Sequence, residues 1–163
     1  MTRNIKLTIE YDGTGFNGWQ TQTARHKKTP SQTQRTIQGE IEKNLKKIFK
    51  KSLKLIGSGR TDSGVHALGQ VANFETESAM IPEKIQSALN ANLPDDIAII
   101  KVEEVSKNFH AQYSAKSKTY RYAILNRAVR CAQQRNFSLL YPHQLDIQVM
   151  RAEAKSLIGE HDF

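Results

Sequence analysis

The chain is poor in cysteine: among its 163 residues it has one, Cys131. A single thiol cannot close an internal disulfide, and no Cys-x-x-Cys or His-x-x-x-His pair offers the spacing of a structural zinc site. The sequence therefore predicts a protein that holds no metal, in which Cys131 is a reduced, packed thiol.

Long apolar runs are missing as well. No stretch approaches the roughly 18 apolar residues that a membrane helix needs, and Met1–Ile9 lacks the apolar segment of a signal peptide. We expect a cytoplasmic protein that does not use a membrane. Hydrophobic residues still make up 38% of the chain, which suffices for a core.

The sequence also lacks the usual signatures of hydrolases and nucleotide-binding proteins. It has no Ser-His pairing, no second catalytic carboxylate and no Gly-x-x-x-x-Gly-Lys phosphate loop. Those two classes of function therefore find little support.

What the chain does have is positive charge. Lys and Arg number 24 against 16 Asp and Glu, which gives a formal net charge of +8. Arg25–Arg60 holds eleven basic residues and two acids, whereas Lys107–Arg135 holds seven basic residues and no acid. Two such patches indicate a polyanionic partner, because each contact with a phosphate releases condensed counterions. A solvated, solubilising face is the alternative of equal weight.

Apolar spacing predicts six elements over residues 3–105. Period-two alternation and short apolar runs indicate strands, and apolar residues at helical spacing indicate helices. The predicted order is a strand at Asn4–Tyr11, a helix from Thr36 to Phe49, strands at Leu53–Gly57 and Gly69–Thr76, a helix at Pro82–Ala91 and a strand at Ile97–Val105. This is the ferredoxin-like or split βαβ plan, an α+β fold in which an antiparallel sheet carries both helices on one face. We expect the first helix to show its lysines to solvent.

After residue 105 the pattern starts again. A strand with Tyr120 and Tyr122 is predicted within Ser117–Leu125, and Asp146 is expected to cap a further helix. These elements would be the first part of a second, similar unit. We therefore predict a domain at 1–105 and an incomplete second domain at 106–163.

The stretch GSGRTDSGVHALGQ, Gly57–Gln70, holds four of the nine glycines and connects two predicted strands. Glycines on both sides of Asp62 would let the backbone pass close to a bulky ligand. Arg60 could keep the Asp62 carboxylate ionised, and an ionised Asp held in position serves as nucleophile or base. The plainer alternative is a surface turn in which Asp62 caps local backbone and pairs with Arg60, with His66 a packed or solvent-facing imidazole.

Five motifs, in order, resemble those of the TruA family of tRNA pseudouridine synthases. They are YDGTGFNGWQ at Tyr11–Gln20, RTIQGEIE at Arg35–Glu42, GRTDSGVHALGQV at Gly59–Val71, FHAQYSAKSKTYRY at Phe109–Tyr122 and GEHDF at Gly159–Phe163. The resemblance runs from the first predicted strand to the last residue. On that resemblance the acid of the Arg-Thr-Asp triplet, Asp62, is the catalytic aspartate.

The resemblance implies an isomerase that converts uridine to pseudouridine at positions 38–40 of the tRNA anticodon stem-loop, without cofactor or metal. The base is detached, turned and rejoined through carbon, so the uridine must first leave the stack. Asp62 would be the nucleophile, attacking either the sugar or the base. Arg60 would keep the flipped nucleotide extruded, Tyr120 would stack on the target base, and His66 is assigned to substrate binding with them. The family also implies a homodimer with tRNA lying across both subunits.

The chain departs from the family pattern in three places. Ser63 stands where the family usually has Ala, a change that could add a hydrogen bond without blocking the site. The loop at Ala24–Gln34 is longer than is usual in the family, and we assign no contact to it. The family also continues well past the HDF motif, so we expect residues from about Phe109 onward to be partly disordered, swapped or paired with another copy. We also expect this chain alone to bind tRNA weakly and to modify it slowly or not at all.

Two other functions stay open. A non-catalytic RNA-binding module would share the ferredoxin-like sheet and the basic faces, although the sequence shows no Lys/Arg-Gly-Phe/Tyr-type strand. A structural half that assembles with another chain is the third interpretation. Considered alone, Tyr120 would be a core residue of its strand.

Overall fold

The structure, a computed structural model, describes residues 1–21 and 35–162. It divides into two compact units, Met1–Lys118 and Thr119–Phe163. The domain boundary after residue 105 stays a prediction, and the loop at Ala24–Gln34 lies outside the described residues. Across the described ranges, no helix has both the length and the apolar character needed to cross a lipid bilayer.

The first unit contains six regular elements. In chain order they are β1 (Arg3–Tyr11), α1 (Ile37–Phe49), β2 (Ile56–Gly57), β3 (Ala67–Thr76), α2 (Pro82–Asn90) and β4 (Ile97–Val105). The sheet has the order β2-β3-β1-β4, and each pairing is antiparallel. This is the split βαβ arrangement, so the α+β, ferredoxin-like fold predicted for residues 3–105 is confirmed.

One hydrophobic core joins the sheet to both helices. Alternate residues of β1 are fully buried with the apolar faces of α1 and α2, because period two in a strand and period 3.6 in a helix each collect apolar side chains on one side. The fully buried members are Ile5, Leu7, Ile9, Ile37, Ile41, Leu45, Ile85 and Leu89. The polar sides of the helices therefore face solvent.

Helix α1 begins where its sequence provides a cap. The Thr36 hydroxyl oxygen accepts the Gly39 N–H at 3.3 Å, which satisfies one of the backbone donors that the first turn leaves without a partner. Four lysines of this helix and its C-cap are exposed, as expected: Lys43, Lys46, Lys47 and Lys50. The helix thus presents a basic surface.

Strand β2 is shorter than predicted, and Leu53–Leu55 is not part of it. The Leu55 N–H donates to Glu42 Oε1 at 3.0 Å, and the Leu55 carbonyl accepts Gln38 Nε2 at 3.1 Å. Because these side chains of α1 bind the Leu55 backbone, it does not pair with β3. Leu55 is buried, but the apolar pattern could not show which groups bind its backbone.

Two buried amide side chains attach residues 106–111 to the sheet. Asn73 Nδ2 donates to Asn4 Oδ1 at 2.9 Å, joining β3 to β1. Asn4 Nδ2 donates to the carbonyls of Ser106 (3.0 Å) and Phe109 (2.8 Å). The Ala111 N–H donates to Asn73 Oδ1 at 2.9 Å. Both oxygens and both nitrogens of the pair are thus hydrogen-bonded, as buried amides require.

The second unit contains β5 (Ile124–Asn126), β6 (Leu139–Tyr141) and α3 (Ile147–Ala154). The two strands pair in parallel. Asp146 caps α3 as predicted, its Oδ1 accepting the N–H groups of Gln148 (2.9 Å) and Val149 (3.0 Å). Between residues 119 and 162 no side chain is buried, so the elements of this unit have no core of their own.

The strand predicted within Ser117–Leu125 was wrong in its extent. Regular pairing begins at Ile124, because the available partner is the three-residue strand β6. Tyr120 and Tyr122 precede β5 and are 68% and 90% exposed. Tyr120 is therefore not the core strand residue that its sequence pattern alone suggested.

Candidate active site

Three of the four predicted site residues lie on one connection. The RTD loop, residues 58–66, joins β2 to β3 and carries Arg60, Asp62 and His66. A second loop, residues 12–19, follows β1 and opens with a short 3-10 turn. We call it the brace loop, because its contacts hold the RTD loop in place.

Hydrogen bonds to the backbone join the two loops. The Trp19 N–H donates to the Thr61 carbonyl at 3.0 Å. The Phe16 carbonyl accepts the Gly64 N–H at 3.3 Å and the Ser63 hydroxyl at 3.0 Å. Ser63 therefore forms the additional hydrogen bond that serine at this position made possible. Asp62 lies between Thr61 and Ser63, so its backbone is fixed on both sides.

Two glycines of the brace loop allow this close approach. A methyl group on Gly13 would overlap the Val65 carbonyl, lying 2.5 Å from its carbon. A methyl group on Gly18 would lie 2.5 Å from the Thr61 carbonyl oxygen, and Gly18 also has a φ of +80°, which disfavours any residue with a Cβ. The backbones of the two loops are in direct contact at these positions.

The structure also explains two of the glycines in the stretch Gly57–Gln70. A methyl group on Gly57 would lie 2.6 Å from the buried indole of Trp19, so this glycine makes room for the ring. Gly64 has a φ of +79° and open space around it. The glycine excess that suggested room for a ligand thus serves first to fit the RTD loop against the brace loop.

His66 and Asp12 form a polar contact between the loops. His66 Nδ1 lies 3.0 Å from Asp12 Oδ1 and 3.2 Å from the Gly13 nitrogen. A protonated Nδ1 donates to the carboxylate, whereas an unprotonated Nδ1 accepts the Gly13 N–H, so the two hydrogen bonds are alternatives. The hydroxyl and backbone N–H of Thr14 hydrogen-bond the Asp12 carboxylate and, with His66, lower its pKa below the ordinary value. An ionised Asp12 favours the tautomer with the proton on Nδ1.

A second polar cluster supports the brace loop from the other side. Arg35 donates to both carboxylate oxygens of Asp96, at 2.7 and 2.9 Å. Its guanidinium carbon lies 4.1 Å from the centre of the Phe16 ring. The Asp96 carbonyl also accepts the Asp12 N–H at 3.0 Å. A bidentate pair has a defined geometry, so this cluster fixes Phe16, whose carbonyl binds the RTD loop.

The side chains of Arg60 and Asp62 are exposed, and within the described residues no hydrogen bond or ion pair engages either of them. The ion pair expected between them is not formed. Asp62 also does not cap local backbone with its side chain; the Val65 N–H donates instead to its carbonyl oxygen, at 3.2 Å. The plain surface turn predicted as the alternative is therefore not what the structure contains. It contains a carboxylate that no other described residue binds, on a loop held through its backbone by the brace loop.

A family model described as tRNA pseudouridine synthase matches residues 7–114, which include β1 from Leu7 onward, the brace loop and the whole RTD loop. The chain belongs to the tRNA pseudouridine synthase family. The match ends before Tyr120, so it covers Arg60, Asp62 and His66 but not the fourth predicted site residue.

Curated relatives extend the similarity over nearly the whole chain. It is 49% identical over 161 residues to tRNA pseudouridine synthase A of Caldicellulosiruptor bescii and 50% identical over 161 residues to the protein of that name from Caldicellulosiruptor saccharolyticus. Each alignment covers 99% of this chain and 62% of the relative. A relative from Clostridium tetani, tRNA pseudouridine synthase A 2, is 46% identical over 163 residues. The chain thus spans about 62% of the length of the synthase relatives that it matches.

The sequence prediction missed the residues that hold the synthase motif in place. YDGTGFNGWQ was recognised as a motif, yet no role followed for Asp12, Gly13, Phe16 or Trp19. Its three glycines in ten residues were the available signal, since a second glycine-rich loop beside the first suggests two backbones in contact. Tyr120 lies in the second unit, exposed ahead of β5.

Proposed function

We propose that the protein isomerises uridine to pseudouridine in the anticodon stem-loop of tRNA, with Asp62 as the nucleophile. The observation that supports this most directly is the exposed Asp62 carboxylate, for which the described residues provide no hydrogen-bond or ion-pair partner, on a loop held by backbone contacts. A nucleophile must be available to its substrate and also held in place. The proposed setting is the cytoplasm, and the proposed working form is a homodimer.

In the proposed reaction the ionised Asp62 forms a bond to the sugar or the base of an extruded uridine. The bond between the ribose and the base nitrogen breaks, the base turns, and a ring carbon bonds to the ribose. The bond to Asp62 then breaks and frees its carboxylate. The proton leaves that ring carbon, and the ring nitrogen released from the ribose takes up a proton. A hydrolytic water is not needed, because the base is rejoined and not released. Exposure of Asp62 suits this reaction, since a flipped nucleotide reaches the loop from solvent.

The other predicted residues would bind the nucleotide. Arg60 has no acidic partner among the described residues, so its guanidinium is available for an RNA phosphate or for the extruded nucleotide. We assign stacking on the target base to Tyr120, whose ring is 68% exposed. His66 would contribute to substrate binding, while its Nδ1 contacts the brace loop.

The face of the sheet away from the helices argues against a non-catalytic RNA-binding module. Part of it is covered, since Asn4 and Asn73 are buried and hydrogen-bonded to residues 106–111. The RNA recognition motif stacks bases on aromatic side chains of its central strands. Here the residues of β1 and β3 on the face away from the helices are polar or aliphatic, and the aromatic Phe74 is buried on the helix side. The members of that face are Asn4, Lys6, Thr8, Val71, Asn73 and Glu75.

Pseudouridine formation in unmodified tRNA tests the catalytic proposal. Asp62→Asn should reduce product at least tenfold while tRNA affinity changes less than about twofold, because one charge contributes little to an interface made with phosphates. Asp95→Asn is the matched control, since Asp95 is also exposed but precedes β4. Activity of Asp62→Asn above a tenth of the parent protein would rule out Asp62 as nucleophile.

Charge reversal on α1 tests the tRNA partner separately. Changing Lys46, Lys47 and Lys50 to Glu should weaken tRNA binding and flatten its dependence on salt concentration. An unchanged salt slope would show that α1 faces away from RNA. Sedimentation of the protein with and without tRNA would test the proposed homodimer.

A further inference from the structure

Lys118 lies against the backbone of the RTD loop. A methyl group built on Gly59 would be 2.8 Å from Nζ of Lys118 and 3.1 Å from its Cε. Gly59 directly precedes Arg60, and its lack of a Cβ makes the space that the lysine occupies. The Lys118 ammonium therefore lies against the residue that precedes Arg60.

The surface beneath Lys118 is fixed. The Gly59 carbonyl accepts Gln70 Nε2 at 2.6 Å, and Gln70 Oε1 accepts the Ser58 hydroxyl at 3.1 Å. The Ser58 N–H also donates to the Val71 carbonyl at 2.8 Å. Gly59 is thus tied to β3, and the lysine lies on a backbone that cannot easily move away.

The charge of Lys118 has no counterpart in the part of the chain that the structure describes. The side chain is exposed, and among the described residues no carboxylate lies within ion-pair distance of its ammonium. The sequence has no acid between Lys107 and Arg135 that could compensate it locally. Arg60, the next residue after Gly59, also has no acidic partner among the described residues. Two cations therefore lie on or against this part of the RTD loop, just before Asp62 in the chain, an arrangement that suits a ligand carrying phosphates next to a reacting sugar.

We propose that Lys118 binds a phosphate of the RNA backbone next to the nucleotide that the RTD loop receives. This inference rests on the proposed function, because it adds a substrate-binding residue to the same site. Lysine suits the role, since a compact ammonium on a flexible stem can follow a phosphate as the nucleotide leaves the stack. Gly59 contributes because its lack of a Cβ leaves room for the side chain of Lys118.

The test is tRNA binding by the full chain as a function of salt concentration, with unmodified tRNA as the probe. Lys118→Met should weaken binding by roughly fivefold at low salt and reduce the salt slope by about 1, as expected for the loss of one phosphate contact. Lys118→Arg should retain the affinity. Lys84→Met on α2 removes an equal charge from another exposed position and is the control for net charge.

Gly59→Ala tests the position of the lysine and leaves its charge in place. The added methyl group meets the flexible end of a side chain, so the fold should persist while the ammonium is displaced and affinity falls toward that of Lys118→Met. Three results would each refute the inference. They are equal effects of Lys118→Met and Lys84→Met on tRNA binding, unchanged tRNA binding by Gly59→Ala, and no tRNA binding by the parent protein. Loss of binding in the Lys118 variant, together with pseudouridine formation by Asp62→Asn above a tenth of the parent's, would refute the proposed catalysis and support the phosphate contact.

Discussion

Gly13→Ala is the change that most directly tests whether the brace loop positions Asp62. The methyl group would lie 2.5 Å from the Val65 carbonyl carbon and would overlap the carbonyl oxygen. Carbon atoms pack at about 3.5–4.0 Å, so the loops must separate by about 1 Å. A misplacement of about 1 Å at a reacting group can cost on the order of 10²-fold in rate. We therefore expect about a hundredfold less pseudouridine, with tRNA affinity nearly unchanged.

Gly15→Ala is the matched control for this prediction. It adds a methyl group in the same 3-10 turn, but the nearest atom is the flexible end of Arg35 at 3.4 Å. Amide chemical shifts of Ser63 and Val65 report the loop position without depending on activity, and urea unfolding reports whether each variant is folded. A folded Gly13→Ala protein with the shifts and turnover of the parent would refute the idea that the brace loop positions Asp62.

Three further predictions concern stability. Asn73→Ala leaves the buried Ala111 N–H and an oxygen of Asn4 without partners, so urea unfolding should show a loss of about 3 kcal/mol, and a loss under about 1 kcal/mol would contradict the network. The pKa of Asp12 is lowered in the folded state, so its contribution to the free energy of unfolding is complete above the ordinary carboxyl pKa and is lost as pH falls below roughly 4. Asp12→Asn should therefore make the free energy of unfolding depend less on pH in that range, and an unchanged pH dependence would contradict this. Amides of β5 should exchange hydrogen far faster than those of β3, since no side chain from 119 to 162 is buried; equal protection would contradict this.

The first unit could be predicted from sequence because its core follows two simple periods. The alternation in β1 and the helical spacing in α1 collect apolar residues on one side, and the observed bounds of β4 match the prediction. The prediction failed where side chains, and not a neighbouring strand, form the hydrogen bonds to the backbone. At Leu55 the hydrogen-bonding groups of Glu42 and Gln38 replace a strand, and apolar periodicity carries no information about such partners.

The second unit was predicted less well for a different reason. Its strands are three residues long, and a short strand has too few positions for alternation to be recognised. The parallel pairing of β5 with β6 joins residues that no local pattern connects. The helix α3 was found because Asp146 provides a local cap, a signal that does not depend on a distant partner.

The RTD loop shows why a free carboxylate and a glycine-rich neighbourhood occur together. A carboxylate that must be available to a substrate cannot also hold its own loop, because each hydrogen bond to local backbone would occupy it. The loop must then be held through its backbone, and two backbones in contact leave no room for a Cβ at the points of closest approach. Those points are Gly13 and Gly18, where methyl groups would strike carbonyls of the RTD loop. The glycines at positions 13 and 18 are therefore a structural consequence of holding the RTD loop through its backbone, although 49 positions of sequence separate Gly13 from Asp62.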